Sequence, residues 1–574
     1  MKTIIQKLWI NIAMLCLSLP ASAYDFEVNG IQYDITSFTE LTVTASSISE
    51  DVTGDVTIPS TVTFKGKELA VTAIGDDFVK EDNNITSITI SNGVQKIGNR
   101  AFYKCSNLST IIIPKSVVEI KEETFKGCDK IVDVNALGVE TLGKSAFEEC
   151  SSLINVTVPK LSQISCRAFA NCSNLTSCVF KSATVIKESA FENCGVVSLV
   201  IPSTVTSIEK KAFYGCKKLA SLNIPNNVKR VGTDIISGCV SIKELTIGCG
   251  IDSLPRMSYG GNPNLEKIRI EDSKHSLILK CEGPRVEGPN HNVTEIVHKN
   301  VESLGFNDSN LKEVYIGRNI TTEKILTKTQ FNKSYYYNGN LVEIWDFYYY
   351  FSIAPFANSN VSKVIIGSDV TSIDMKYKGE RYLNDYYYLR QAFENCKELT
   401  EVDFQSSLEE IPDWAFSGCS NLQKIYLPNS TQELGIAVFK DCTSLHTIDL
   451  GYSLESIGKD SFTGCDKLLT INIHSPNPPS YSTGFSSQQY INTTVNVPPG
   501  CLTLYQKSEP WKNFWNLKED SRLDTGIDDA PTTINTNTKE LTRYTINGQK
   551  ISAPSKGFNI IRYNDGSVKK VVVQ

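Results

Sequence analysis

The chain has 574 residues, a mild formal net charge of -6 and a hydrophobic fraction of 41%. Its length exceeds the usual size of a single domain, which leaves several domains or a repeat architecture that grows linearly. No cluster of lysine and arginine stands out, and this disfavours nucleic acid as a partner because such binding depends on clustered basic residues.

The N-terminus has the pattern of an export signal. Two lysines flank the start of an apolar run at 8–19, and the small residues 21–23 follow. This pattern predicts a signal peptide over 1–23 and an exported chain that begins near Tyr24. The run is shorter than the roughly 20 residues of a membrane span. Cys16 offers lipid attachment as an alternative, although the bulky residue before it fits such a signal poorly.

Residues 24–68 lack the repeat that follows and are predicted to form an N-terminal cap. Apolar residues alternate there with polar ones, as in a strand that is buried on one face. The alternating positions are Phe26, Val28, Ile31, Tyr33 and Ile35.

From residue 69 the phrase Ala-Phe-x-x-Cys returns about every 22 or 23 residues, a period typical of a solenoid in which each repeat buries its apolar face against its neighbours. Complete copies begin at Ala101, Ala146, Ala168, Ala190, Ala212, Ala392 and Ala415, and relaxed copies contain Phe125, Phe439 and Phe462.

One repeat shows how a single coil is built. Leu108, Ile111 and Ile113 fit an inward-facing set, and the spacing of the last two indicates a strand. Pro114 ends that strand because proline cannot donate to a ladder. A second, shorter extended segment follows at 117–120, and the Ala-Phe pair fills the opposite wall.

The full repeat, Ala-Phe-x-x-Cys-x-x-Leu-x-x-Ile-x-Ile-Pro, resembles the BspA-like leucine-rich repeat of surface and secreted proteins of Bacteroidota type. The resemblance covers residues 24–518. It implies a β-rich solenoid, a right-handed leucine-rich repeat array with terminal caps. Members of the family are described as adhesins for extracellular-matrix and plasma proteins, and the resemblance implies such a role here.

The remaining domain boundaries follow the quality of the repeat. Leucine-rich repeat block 1 is assigned to 69–250, degenerate repeats with Tyr-rich insertions to 251–390, and block 2 with the C-terminal cap to 391–518. The polar residues 519–540 are predicted to form a linker. Residues 541–574 return to an extended pattern, which fits either a sorting signal for type IX secretion or a simple terminal hairpin.

Eleven of the 17 cysteines occupy one repeat position. Equivalent residues of adjacent rungs lie about 4.8 Å apart with parallel side chains, which suits disulfide geometry poorly. The prediction is a column of buried, reduced thiols that act as small apolar residues. No C-x-x-C spacing occurs, so no metal and no cofactor are predicted. The column comprises Cys105, Cys128, Cys150, Cys172, Cys194, Cys216, Cys239, Cys396, Cys419, Cys442 and Cys465.

The chain contains five histidines, so candidates for a catalytic histidine are few. His275, His291 and His298 lie near Cys281 and Glu295, and a metal site or a Cys-His pair is the functional alternative to scattered surface histidines. No nucleophile elbow, phosphate loop or His-Glu-x-x-His is present. The chain is therefore predicted not to be an enzyme.

The strand pattern predicts two outward-facing columns along the ladder, which form either a row of ordinary ion pairs or a graded binding strip about 60–70 Å long. One column is Ile112, Asn135, Thr157, Val179, Val200, Asn223, Thr246, Arg269, Tyr315, Ile365, Asp403, Tyr426, Asp449 and Asn472. The other is Thr110, Asp133, Asn155, Ser177, Ser198, Ser221, Glu244, Lys267, Glu313, Lys363, Glu401, Lys424 and Thr447. Ion pairs are expected between Glu244 and Lys267 and between Glu401 and Lys424.

Exposed aromatic residues are the predicted ligand contacts, because they commonly anchor protein partners and sugar rings. Trp345, Tyr348 and Tyr350 lie in an aromatic insertion, and Tyr315 and Tyr426 lie on the ladder. The alternative is that the insertion covers the core where repeats have decayed.

These features predict a non-catalytic secreted or cell-surface binding protein that engages host or microbial macromolecules. Its partner would be an extracellular protein or glycan, such as a host matrix or plasma protein. A carbohydrate-binding accessory protein and a passive cell-envelope spacer are the alternatives.

Overall fold

A computed structural model describes residues 24–255, 262–280, 310–322, 356–373 and 392–524. It also places the backbone of short strands within 326–350 and 540–573. Strands dominate the described residues, whose two α-helices are α1 (Ser487–Asn492) and α2 (Leu502–Tyr505). The β-rich solenoid predicted from the repeat is confirmed, and its right-handed sense stays a prediction.

The solenoid begins with an antiparallel meander. β2 pairs with β1 and β3 in antiparallel fashion, and β3 then pairs in parallel with β6, which starts one of the two long ladders. The meander thus extends this ladder ahead of the first regular repeat, and its role as an N-terminal cap stays a prediction. The six strands are β1 (Phe26–Val28), β2 (Ile31–Ser37), β3 (Thr42–Ile48), β4 (Gly54–Ile58), β5 (Thr61–Phe64) and β6 (Lys67–Ile74).

Up to residue 255 most repeats contribute one strand to each of two parallel ladders. The strands of the front ladder have three to six residues, and two-residue strands form most of the side ladder. The strands are β7 (Ile85–Ile90), β8 (Lys96–Ile97), β9 (Thr110–Ile112), β10 (Glu119–Ile120), β11 (Asp133–Asn135), β12 (Thr141–Leu142), β13 (Asn155–Thr157), β14 (Gln163–Ile164), β15 (Ser177–Val179), β16 (Val185–Ile186), β17 (Ser207–Ile208), β18 (Ser221–Ile224), β19 (Arg230–Val231), β20 (Glu244–Ile247) and β21 (Ser253–Pro255).

The front ladder runs on where the phrase Ala-Phe-x-x-Cys is lost. β22, β24, β30 and β31 pair in parallel and in register, although long stretches of chain separate them. The strands of this stretch are β22 (Lys267–Ile270), β23 (Leu277–Lys280), β24 (Glu313–Ile316), β25 (Ile320–Thr322), β26 (Leu326–Thr327), β27 (Ser334–Tyr337), β28 (Asn340–Glu343), β29 (Tyr349–Tyr350), β30 (Lys363–Ile366) and β31 (Glu401–Phe404).

A buried arginine ties this stretch to the preceding repeats. Arg318 is fully buried and donates from Nη1 to the carbonyls of Cys249 (3.0 Å) and Ile251 (2.8 Å). Its Nη2 donates to the carbonyl of Gly248 at 2.9 Å. Burial lowers the pKa of the guanidinium, but the carbonyl oxygens offset part of that cost. Arg318 follows β24, and the carbonyls that it contacts follow β20. These hydrogen bonds therefore cross over β22, which lies between the two strands in the sheet.

The regular pattern resumes from β32 and ends in a compact cap. In the cap, Tyr505 and Trp511 are fully buried, and the Trp511 indole donates to the carbonyl of Pro479 at 2.7 Å. The strands are β32 (Glu410–Ile411), β33 (Lys424–Tyr426), β34 (Glu433–Leu434), β35 (Thr447–Leu450), β36 (Ser456–Ile457), β37 (Thr470–Ile473), β38 (Ser480–Tyr481), β39 (Thr494–Val497) and β40 (Asn516–Glu519). The tail forms a separate antiparallel sheet of β41 (Glu540–Thr545), β42 (Lys550–Ile551), β43 (Gly557–Tyr563) and β44 (Val568–Val573).

The phenylalanines of the repeat form two columns of stacked rings inside the coil. From Phe102 to Phe213 successive ring centroids lie 5.0–5.8 Å apart. From Phe356 to Phe485 they lie 5.5–6.0 Å apart. Such offset stacks add to the area that each ring buries. Phe356 therefore occupies the repeat position that its sequence context predicts.

The cysteine column is buried and reduced, as predicted, but its thiols are more than apolar filler. Cys105 donates to the carbonyl of Val79, and each later thiol of the column donates to the carbonyl of the phenylalanine one repeat earlier, as Cys172 does to Phe147 at 3.0 Å. Burial raises the pKa of Cys150 and Cys172. The remaining donors are Cys128, Cys150, Cys194, Cys216, Cys239, Cys396, Cys419, Cys442 and Cys465.

Each turn that contains the phrase bends twice through the left-handed region. One residue directly precedes the alanine and the other directly precedes the cysteine, as with Arg167 (φ 53°) and Asn171 (φ 63°). Glycine and asparagine adopt this conformation at low cost. This explains why Gly215, Gly418 and Asn395 stand directly before cysteines.

Candidate functional site

The outer surface of the front ladder is the largest regular surface of the described residues, and we call it the front face. Burial alternates along its strands, with Ser221 and Asn223 exposed while Leu222 and Ile224 are buried. This alternation is what a sheet with one buried face requires. The front face therefore presents two outward residues for each strand.

Strand register brings the two predicted columns together. Asn223, Thr246, Arg269, Tyr315 and Ile365 are successive partners in adjacent parallel strands. Ser221, Glu244, Lys267, Glu313, Lys363 and Glu401 are successive partners in the same way. Both columns continue near the C-terminal end, where Tyr426 pairs with Asp449 and Lys424 with Thr447.

The central part of the front face is a lattice of ion pairs. Lys267 lies between Glu244 (4.0 Å) and Glu313 (3.9 Å), so the expected contact with Glu244 is present. The structure gives Glu401 an ion pair with Lys363 at 2.7 Å in place of the expected one with Lys424. Exposed pairs of this kind each contribute about 0–1 kcal/mol. These charges pair with one another, so few unpaired charges remain there for a ligand.

Tyr315 lies inside this lattice and is held by two of its neighbours. Its hydroxyl donates to Asp272 at 2.7 Å, and the Arg269 guanidinium lies 3.8 Å from its ring centroid. Glu271 in turn accepts from Arg269 at 3.0 Å. Burial and the Asp272 carboxylate raise the pKa of Tyr315 to about 12. A ligand at this point meets the edge of a fixed aromatic-ionic cluster.

Tyr426 differs because 50% of it is exposed, on the front face at β33. The remaining predicted contacts lie in the aromatic insertion. Trp345 and Tyr348 lie outside the described residues, and Tyr350 is described only as a backbone partner of Leu326. Their role as ligand contacts stays a prediction.

The C-terminal end of the front face carries a hydrogen-bonded row of side chains that was not predicted from the sequence. Asn496 Nδ2 donates to Asn472 Oδ1 at 2.8 Å, and Asn472 Nδ2 donates to Asp449 Oδ1 at 2.5 Å. We call this row the amide ladder. Asp449 and Asn472 were assigned to the outward column, but Asn496 follows the insertion of α1 and does not show the repeat spacing.

Charged and titratable groups surround the amide ladder. Burial raises the pKa of Asp449, and the hydrogen bond from Asn472 opposes that shift. Burial lowers the pKa of His474, so this imidazole is neutral at neutral pH. Arg522 is paired with Asp520 at 2.6 Å. Asp449 is thus the single formal charge among the outward groups of β35, β37 and β39.

The described residues contain no group of three or more His, Cys, Asp or Glu side chains that could hold a metal ion. Of the predicted histidine cluster only His275 is described, and it is exposed. His291, His298, Cys281 and Glu295 lie outside the described residues. No helix among the described residues is long and apolar enough to cross a membrane.

Parallel ladders, stacked phenylalanines and repeated double bends define the chain as a leucine-rich-repeat solenoid protein. The family model for the BspA type leucine rich repeat region matches residues 72–197, 184–280 and 389–492. These matches cover more than half of the chain, which therefore belongs to the BspA-type leucine-rich-repeat family.

Several solved structures are similar to this chain. A leucine-rich repeat protein from Bacteroides ovatus is 25% identical, with 78% of this chain and 94% of that chain covered and a TM-score of 0.42. A leucine rich cell surface protein from Faecalibacterium prausnitzii is 20% identical, with 80% and 97% covered and a TM-score of 0.32. The pneumococcal vaccine antigen PcpA is 16% identical, with 86% and 96% covered and a TM-score of 0.26. No curated protein matches the chain.

Proposed function

We propose that the protein is a non-catalytic, exported or surface-displayed binding protein that engages an extracellular macromolecule through its front face. The observation that carries the proposal is the front ladder itself. It aligns outward side chains from β4 to β40 in one long surface, and many of these side chains are exposed among the described residues. Membership of the BspA-type family supports the same class of use.

The physical basis is the rigidity of the face. Each outward residue lies on a short strand fixed by hydrogen bonds to both neighbouring strands and by a buried residue on either side. Side chains held in this way lose little conformational freedom when a partner binds, which lowers the entropic cost of association. An extended surface of this kind suits a large partner better than a small molecule, which needs a concave pocket.

The proposed partner is an extracellular protein or glycan, including host matrix and plasma proteins, and the location is the outer cell surface or the medium. The aromatic insertion with Trp345, Tyr348 and Tyr350 is a second proposed contact region. A passive cell-envelope spacer is the competing function, and it predicts no saturable ligand.

The test is equilibrium binding of the purified protein to immobilised matrix proteins, plasma proteins and glycans. A double variant, Ser221→Glu with Asn223→Glu, adds two negative charges to the front face at β18. Lys210→Glu changes the charge by the same amount at an exposed site beside the side ladder and serves as the matched control. We expect saturable binding that the double variant weakens about tenfold and the control leaves unchanged.

A third variant, in which Trp345, Tyr348 and Tyr350 are replaced by alanine, tests the insertion separately. Loss of binding in this variant alone would move the contact from the front face to the insertion. Absence of saturable binding across the whole panel would contradict the proposed function and favour the spacer.

A further inference from the structure

The amide ladder forms a rigid polar surface at the C-terminal end of the front face. Its bonds run in one direction, since Asn496 donates to Asn472 and Asn472 donates to Asp449. A parallel row of half-buried hydroxyl groups lies beside it, contributed by Thr447, Thr470 and Thr494. These hydroxyls both donate and accept hydrogen bonds, and the two bonds of the amide ladder fix the neighbouring amides before any ligand binds.

One buried acceptor of the amide ladder lacks a donor among the described residues. Asn496 is 6% exposed, and within the described part of the chain its Oδ1 accepts no hydrogen bond. A buried acceptor without a donor is costly, and such a group in a native structure calls for an explanation. A ligand hydroxyl above Asn496 can supply that donor after a small rotation of the amide.

An exposed aromatic side chain lies on the first strand of this sheet and another directly before the last, where Lys518 is the register partner of Asn496. Tyr426 on β33 is 50% exposed, and Trp515, directly before β40, is 76% exposed. The strand order β33-β35-β37-β39-β40 separates them by four strand spacings, or about 19 Å. We call the surface between and including these two residues the C-terminal strip.

The electrostatics of the C-terminal strip favour a neutral ligand. Asp449 is the single charge among the outward groups of its three middle strands, and the neighbouring His474 is neutral because burial lowers its pKa. Arg522 is engaged by Asp520, while Lys424 and Lys518 lie at exposed positions of the two end strands, β33 and β40. A polyanion would therefore meet one lysine at each end of the strip rather than a row of cations, whereas the ion-pair lattice around Lys267 dominates the centre of the face.

We propose that the C-terminal strip is a binding site for a neutral glycan chain, whose hydroxyl groups bond to the amide ladder and whose sugar rings pack against Tyr426 and Trp515. Sugar rings present hydroxyls that donate and accept and apolar faces that pack on aromatic side chains. The inference rests on the proposed binding function and narrows it to one ligand class at one site.

Affinity gel electrophoresis of the full protein tests the site. The gels contain dextran, mannan, xylan or mixed-linkage β-glucan as neutral probes, and heparin as the anionic probe. The test variants are Trp515→Ala and Tyr426→Ala. Tyr214→Ala is the matched control, because Tyr214 is a 37% exposed aromatic in a turn of the opposite wall. The exposure of all three side chains leaves folding intact, which a thermal melt verifies.

We expect at least one neutral polysaccharide to retard the protein. Each test variant should weaken that binding about tenfold, while the control stays within about twofold. Asn472→Asp removes the amide that donates to Asp449 and should weaken the binding of the polysaccharide as well.

Three results would overturn the inference: retardation that both test variants retain, retardation by heparin alone, and no retardation by any neutral probe. If matrix or plasma proteins still bind in the last case, the proposed function stands and the glycan class falls. If binding to one of those proteins is lost in Trp515→Ala, the C-terminal strip takes a protein instead.

Discussion

Cys172 illustrates why one residue type returns at the same point of each repeat. The site is fully buried, and it faces the carbonyl oxygen of Phe147 in the previous repeat. A thiol fills the space as a small hydrophobic group and still donates a weak hydrogen bond. Ser359, which replaces the cysteine in one degenerate repeat, keeps a polar hydrogen there and lies 3.5 Å from the Cys396 sulfur.

Replacing Cys172 by alanine should therefore cost about 1–2 kcal/mol of stability, because it leaves a cavity and removes a donor. Cys172→Ser keeps the donor and should cost less. Urea denaturation measures the effect, with Cys166→Ala as the control, since Cys166 lies outside the column and is only half-buried. Equal losses in the alanine variants at 172 and 166 would contradict the role assigned to the column.

At the scale of elements, adjacent turns are joined by charges as well as by packing. Glu148 is 3% exposed and accepts from Arg167 Nη2 at 2.6 Å, while Lys126 Nζ lies 3.2 Å from its other oxygen. Arg167 also reaches Glu192 at 3.0 Å in the next repeat. Burial by itself would raise the pKa of Glu148, but the hydrogen bonds from Arg167, Ser145 and Lys126 and the charge of Arg167 together outweigh it, and the pKa is lowered. This cluster couples four consecutive turns.

Arg167→Met should cost about 2–3 kcal/mol at neutral pH, because it leaves the buried Glu148 carboxylate with Lys126 alone. A lowered pKa stabilises the fold above the unfolded pKa of about 4.3, and that contribution is lost as the pH falls through the folded value. The difference between wild type and variant should therefore shrink between pH 7 and pH 3 in urea titrations.

Arg100→Met is the control for that prediction. It breaks the exposed pair with Asp77 at 2.9 Å, which solvent screens, and should cost much less stability than Arg167→Met. A loss in Arg167→Met that is no larger than this, or that is the same at both pH values, would show that the buried cluster does not couple the turns.

In the whole molecule, a local property such as a raised thiol pKa recurs in successive repeats along the solenoid axis. Burial raises the pKa of Cys105, Cys396 and Cys465 to about 12, and it raises the pKa of the more central thiols as well. In the unfolded chain a thiol ionises near pH 8.5. The folded state therefore binds more protons than the unfolded state above that pH, and the stability that the thiols contribute is complete only below it.

The expected result is a steep loss of stability in alkali. Each thiol whose pKa burial raises removes about 1.4 kcal/mol of stability for each pH unit between its unfolded and its folded pKa. The urea midpoint should change little from pH 7 to pH 8 and fall sharply between pH 9 and pH 11. Reactivity of the cysteines toward a thiol reagent should rise over the same interval. A midpoint at pH 10 equal to that at pH 7.5 would contradict a buried, protonated column.

Much of the regular part of the fold could be predicted from local sequence. Ile111 and Ile113 face inward and Ile112 faces outward, as the period of two requires. Two features were missed. The thiol donors depend on a carbonyl in another repeat. The amide ladder depends on Asn496, whose place in the column is decided by how α1 and β39 return to the front ladder.

The sequence alone determined the architecture, because a solenoid buries each repeat against its neighbours and one short phrase, repeated, specifies the whole core. It also determined which side chains face outward, since the strand period is two. The tertiary structure decided which outward groups remain available. Lys363 rather than Lys424 takes Glu401, and Tyr315 is held by Arg269 and Asp272. These outcomes depend on side-chain reach between chain segments that are distant in sequence, and the repeat does not encode that reach.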